Sequence, residues 1–405
     1  MTTVRRFHWL APLTLAVTLL AAACGDTRSN AGGGGQAGSG KEPSSAKGCQ
    51  GKSGTIKIGY VGTLSGPASF LGQAPLEGAE LAVKELNDRD GKSDLTYRIV
   101  PEDDAIDPAR GVAAAQKLIN QDGVDVIIGA AHSGVSQAML GVTQQAGIPQ
   151  ISPLSALNSL TDPVTPSFFR LWNKDAVIAA TLADFATENF EKVGLLYETT
   201  AFGQGGKDAL TAAFTKKGKK LVGAEAFDLN AQDLTPQLSK LRTAGAEAII
   251  VQSQGPQAAL TAKNLKQLGY EAKILGHPGL AQEGFPKLAA GAAEGAIVID
   301  GLDRDKPAAK KFIETYMAAH GREPFSFYPA TGYDAVHLIA EGLEAVGCEA
   351  GDLREGIESI KGFRGVVGRE TAEISFGSDD HDGYGQEALL FKEIRNGQLV
   401  PVAGA

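Results

Sequence analysis

The sequence predicts an α/β protein of two lobes, each a doubly wound parallel sheet covered by helices. Three observations carry this. Short apolar stretches alternate with helical patterns from residue 56 to 299, the rhythm of buried parallel strands joined by crossover helices. The strands are too many for one comfortable sheet. Breaks at 167–173 and 300–306 interrupt the rhythm, so each lobe must be assembled from pieces distant in sequence.

The first unit is a strand at 56–61, which runs into a loop of Thr63, Ser65, Gly66, Pro67, Ser69 and Gly72. A helix follows with Leu76, Ala79, Leu81, Ala82 and Leu86 on its apolar face. Ligands of open α/β sheets collect at the carboxyl ends of such strands, and an ordinary βα start without a ligand is the alternative. Further strands are expected at 96–100, 124–128, 150–152, 193–197, 220–227, 248–251, 273–275 and 296–299. Between them lie helical patterns at 109–120, 136–146, 175–190, 205–217 and 257–268, while Thr235 and Pro236 open a helix over 236–243 as N-cap and first residue. Helices at 307–320, 328–346 and 351–361 come next, then a tail of short strands around the loop 377–383. One lobe then comprises residues 54–170 and 301–365, the other 171–300 and 366–405.

The amino terminus gives an address. Arg5 and Arg6 precede an apolar run over 10–23, too short for a permanent membrane span. The run ends in small residues before Cys24, which resembles a bacterial lipobox. That resemblance implies a signal peptide over 1–23, lipidation of Cys24 and anchoring at the outer face of a membrane. An ordinary secretory signal with an incidental cysteine is the other reading. Residues 24–53 are rich in Gly and Ser and form a flexible tether. The formal net charge of −9, without a basic stripe, argues against a nucleic-acid partner. Of the three cysteines, Cys49 and Cys348 remain for an oxidising compartment, as a disulfide or as two free thiols.

Several spaced segments carry a wider resemblance. They are LSGPAS at 64–69, LEGAELAVKELN at 76–87, DPARGVAAAQKLI at 107–119, VDVIIGAAHSG at 124–134 and GIPQISP at 147–153. FGQGGKDAL at 202–210, TPQLSKLRTAGAEAIIV at 235–251, LGHPGL at 275–280, TGYDAVHLIAEGL at 331–343 and FRGVVGRETAEISF at 363–376 continue the series. In this order they resemble the type I periplasmic binding proteins of the leucine/isoleucine/valine-binding group. The resemblance implies a clamshell with three hinge crossovers, closing as a monomer on a small ligand and delivering it to an ABC permease with its ATPases. A binding protein that feeds a receptor is the alternative, since the same fold serves sensing.

The resemblance also places candidate ligand contacts. Ser133 matches a hydroxyl that takes a ligand carboxylate, and a role as helix N-cap is compatible with it. Leu154 matches a backbone contact, and Ser155 stands beside Ala156, where relatives carry threonine. Phe202 replaces a tyrosine wall, Leu71 falls near an aromatic position, Tyr333 matches a cleft tyrosine and Gln254 is a polar strand-end candidate. His277 and Pro278 stand where amino-acid binders place a glutamate for the ligand ammonium. A buried ammonium without an acceptor costs several kcal/mol, so the pocket suits an apolar or aromatic acid or an amide as well as an amino acid. Trp172 is expected to pack in the hinge and His132 to border the pocket. No nucleophile elbow, zinc-protease helix or P-loop is present, so the expectation is no enzyme, no cofactor and no metal.

Overall fold

The computed structural model describes residues 49, 52–89 and 94–402. The leader, Cys24 and the tether up to residue 48 lie outside the described residues. The first lobe opens with β1 (Ser53–Gly62), α1 (Phe70–Asn87), β2 (Asp94–Asp103), α2 (Pro108–Lys117), β3 (Val126–Gly129), α3 (Ser133–Ala146), β4 (Gln150–Ser152) and β5 (Phe168–Arg170). Its five strands pair in the order β2-β1-β3-β4-β5, all parallel. Two of the helices, α2 and the later helix Ala201–Lys216, start where a side chain caps their first amides. At α2 the Asp107 carboxylate accepts from the amides of Ala109 (2.7 Å) and Arg110 (3.1 Å), with Pro108 in the first turn. The break expected at 167–173 is partly a strand, because Phe168 and Phe169 are wholly buried and extend the sheet before the chain leaves it.

The second lobe contains α4 (Asp175–Asn189), β6 (Val193–Glu198), α5 (Ala201–Lys216), β7 (Gly223–Phe227), α6 (Thr235–Thr243), β8 (Ala248–Gln252), α7 (Gly255–Gln267), β9 (Lys273–Gly276), α8 (Gly284–Ala289) and β10 (Ile297–Asp300). The chain then returns through α9 (Pro307–His320), α10 (Tyr328–Ala345) and α11 (Leu353–Glu358), and ends in β11 (Leu390–Arg395) and β12 (Gln398–Pro401). The second sheet has the order β12-β11-β10-β9-β8-β6-β7. It is parallel from β7 to β10, with β11 and β12 added as an antiparallel hairpin. Every residue of β8 is buried, as a central strand covered on both faces requires.

The returning segment covers the first sheet because α10 packs closely on α1. A Cβ on Gly78 would lie 1.8 Å from the Pro329 carbonyl oxygen, and one on Gly332 would lie 1.8 Å from that of Pro75. Only glycine permits backbones to approach so closely. The Cys49–Cys348 disulfide ties the start of β1 to the end of this segment.

The final return to the second sheet comes later than residue 366. The Asp334 carboxylate accepts from the amides of Val366 (2.7 Å) and Val367 (2.9 Å), and the His381 ring stacks on Phe169 at 4.1 Å. Asp382 accepts from Arg170 (3.1 Å). Residues 363–382 are therefore held on the first lobe by contacts that span up to 221 positions, the longest from the Thr161 hydroxyl to Asp382.

The three chain crossings run side by side. Trp172, in the first, stacks on Phe327 at 4.1 Å, and a Cβ on Gly301, in the second, would lie 2.6 Å from its ring. The Asn173 amide donates to the carbonyls of Tyr384 (2.7 Å) and Gly385 (2.6 Å) in the third. Among the described residues, no helix is long and apolar enough to cross a membrane.

Candidate functional site

At the carboxyl ends of both sheets, helix N-termini converge on one cavity between the lobes. Ser133 is the first residue of α3, Phe202 the second of α5, Gln254 the N-cap of α7 and Tyr328 the first of α10. All four line the cavity with Leu71, Leu154, Trp172, His277 and Phe327. The space between these side chains is about 10 Å³, the least that a single water needs. Helix N-termini present partial positive charge, so the convergence favours an anion or a carbonyl oxygen.

Three side chains on the wall, Ser133, His277 and Trp172, offer donors, and Gln254 carries both a donor and a neutral acceptor. The Ser133 hydroxyl oxygen already accepts from the amides of Ala156 (3.2 Å) and Leu157 (3.4 Å), which leaves its hydrogen to offer. It is not the cap of α3; His132 holds that position. The His277 Nδ1 accepts from the Gly279 amide at 3.0 Å, which assigns the ring proton to Nε2. Burial pushes its pKa down to about 3, so the imidazole is neutral at physiological pH. His277 Nε2 and Trp172 Nε1 are both buried without a protein partner. Phe202 closes the apolar side, edge-on to His277 with ring centres 4.9 Å apart.

No carboxylate is among the lining side chains. Glu198 is buried nearby but already accepts from Thr200 (2.6 Å) and Ser253 (3.2 Å), and its Oε1 lies 3.6 Å from His132 Nε2. Two hydroxyls of the first loop are taken by acids: Thr63 donates to the buried Asp104 (2.7 Å) and the exposed Ser65 to Asp103 (2.5 Å).

Of the residues expected at the site, Leu71, Ser133, Leu154, Phe202, Gln254 and His277 come together here. Ser155 lies behind the wall, its hydroxyl bonded to Ser136 (2.9 Å) and to the Ala130 carbonyl (3.0 Å), so it fastens the ends of β3 and β4. Tyr333 is placed elsewhere. Its hydroxyl donates to Glu85 at 2.6 Å and its ring packs edge-on to Phe312. The aromatic ring that α10 offers the cavity is Tyr328, five residues earlier and about 140° around the helix. Trp172 serves both hinge and cavity. The signal for Tyr328 was the sequence FSFYP, where a proline in the first turn marks the helix start and so the residue nearest the cleft.

A family profile described as periplasmic binding protein matches residues 55–397. The Leu/Ile/Val-binding protein homolog 3 of Brucella melitensis is 27% identical over 334 residues, covering 80% of this chain and 90% of that protein. A type 1 periplasmic binding protein of Bordetella pertussis superposes with a TM-score of 0.80 at 25% identity, over 86% of this chain and all of the other. The branched-chain amino acid transporter substrate binding protein LivJ of Streptococcus pneumoniae, in complex with isoleucine, gives 0.77 at 26% identity over 85% of this chain and 98% of its own.

Proposed function

The chain belongs to the periplasmic binding protein family of the branched-chain amino acid type, and from that premise we infer that it is the lipid-anchored solute receptor of an ABC importer. It captures a small carboxylate or carbonyl compound with an apolar or aromatic body between its lobes and hands it to the permease. The anchor rests on Cys24 and the preceding small residues.

One observation supports the choice of cargo. Ser133, His277 and Trp172 offer hydrogens to the cavity while no carboxylate lines it. Donors meet the oxygens of an acid or amide. A ligand ammonium would find no charged acceptor, at a cost of several kcal/mol. The cavity is also far smaller than any such ligand, so entry requires the lobes to part about the three adjacent crossings. Closure then buries the ligand against Leu71 and Leu154 from one lobe and Phe202 from the other, which makes the closed form dependent on the ligand.

Calorimetry with L-leucine and 4-methylpentanoate, which differ by the ammonium alone, tests the reading. We expect 4-methylpentanoate to bind at least tenfold more tightly, and Phe202→Ala to weaken it by a further tenfold or more. Tighter binding of leucine would overturn the assignment of cargo.

A further inference from the structure

A second hollow shares the Tyr328 wall with the donor cavity. It encloses about 160 Å³, enough for a ring-sized group. Both lobes build it: Phe70, Glu77, Arg322 and Tyr328 from the first, Gln282 and Glu283 from the second. Phe70 and Tyr328 meet edge to face, with ring centres 5.9 Å apart. At the rim, Arg322 donates to both oxygens of Glu77 at 2.8 and 2.7 Å, so these two charges answer each other.

Gln282 is the anomaly. It is only 3% exposed, yet neither its amide oxygen nor its amide nitrogen has a protein partner. Leaving a buried donor and acceptor unpaired is costly, so the amide is poised to take a partner. An amide that offers one donor and one acceptor side by side is complementary to another amide. The Phe70 ring also meets the second lobe here: a Cβ on Gly255 would lie 3.1 Å from it and 3.8 Å from the Gln282 nitrogen. Any group seated in this hollow touches both lobes, as the cargo in the main cavity does.

We propose that this hollow is a second ligand compartment, in which Gln282 pairs with an amide-bearing extension of the cargo while Phe70 and Tyr328 flank it. The cargo is then an acid that carries an amide beyond its apolar body, longer than a free amino acid. The proposal rests on the cargo class inferred above, and the test separates the two.

Three probes are titrated into the full-length protein: benzoate for the donor cavity alone, acetanilide for the hollow alone, and 4-acetamidobenzoate for both. Acetanilide is expected to bind weakly, visible by ligand-observed NMR, and 4-acetamidobenzoate at least tenfold more tightly than benzoate. Gln282→Leu should abolish the acetanilide signal and the tenfold gain while leaving benzoate affinity unchanged. Phe70→Ala, which keeps the amide, should weaken acetanilide as well. If acetanilide does not bind and the acetamido group brings no gain, or if the gain survives Gln282→Leu, the compartment is refuted. If acetanilide binds through Gln282 but benzoate does not bind, the compartment stands and the cargo assignment of the main cavity falls.

Discussion

Arg170 links the core to the ligand wall, and its removal gives the sharpest prediction. The side chain is wholly buried. Its guanidinium donates to Asp382 (3.1 Å), to the carbonyls of Ser155 (2.5 Å) and Leu157 (3.0 Å) and to the Thr161 hydroxyl (2.7 Å). Arg170→Met keeps the aliphatic stem and deletes every one of these bonds. Removing one partner of a buried ion pair costs about 3–5 kcal/mol, a figure that overlaps with the desolvation of the two orphaned carbonyls. We expect a loss of about 4 kcal/mol, a large share of a typical 5–15 kcal/mol stability. The loop 154–157 that Arg170 holds also carries Leu154 and the amides bound by Ser133, so ligand affinity should fall with it.

Urea unfolding followed by far-UV circular dichroism at pH 7 measures the loss. A second variant sharpens it: Asp382→Leu in the Arg170→Met background should restore part of the loss by removing the stranded carboxylate. The acid limb carries the same signature. Burial alone would push the Asp382 carboxyl up, but the Arg170 charge and the hydrogen bond from Lys174 outweigh it and hold the carboxyl below its ordinary value. A depressed acid contributes stability above its unfolded pKa and loses it as pH falls through the folded value. Arg170→Met should therefore unfold at a higher pH than wild type. A stability loss under about 1 kcal/mol, with an unchanged acid midpoint, would refute this reasoning.

Two further predictions concern the site and the helix pair. Because burial depresses His277 to about 3, its contribution to stability is complete above its unfolded value near 6.5 and is lost as pH falls. Between pH 7 and 5 this amounts to about 2 kcal/mol. Burial raises Asp175 to about 7 and Asp334 to about 6, and both act with the opposite sign, so the measured quantity is the difference in pH slope between wild type and His277→Asn. Parallel slopes would remove His277 as a buried neutral group. Gly332→Ala drives a methyl to 1.8 Å from the Pro75 carbonyl oxygen and should cost about 1–3 kcal/mol, seen as a lower melting temperature. An unchanged melt would mean that α1 and α10 separate freely.

What the sequence determined by itself is whatever repeats over a few residues. Alternating strands and helices, and the strand ends that carry Ser133, Leu154, Gln254 and His277, are local patterns and were legible, whereas the break expected at 167–173 contains the strand β5. Phe202 came from the family resemblance, which places it where relatives carry a tyrosine before a glycine. Tertiary structure decided the rest, for reasons of direction and distance. Tyr333 and Tyr328 share one helix, and only the position of its first turn decides which ring faces the cleft. Ser155 is displaced from the cavity by bonds to Ser136 and Ala130, remote in sequence. Residues 363–382 stay with the first lobe because Asp334 and Arg170 take their amides and carboxylate from as far as 212 positions away. The burial of Gln282 with both amide atoms unpaired is set by the packing around it and has no local signal in the sequence. A pattern within ten residues records which face of an element is apolar; what that face meets is settled by the packing of distant segments.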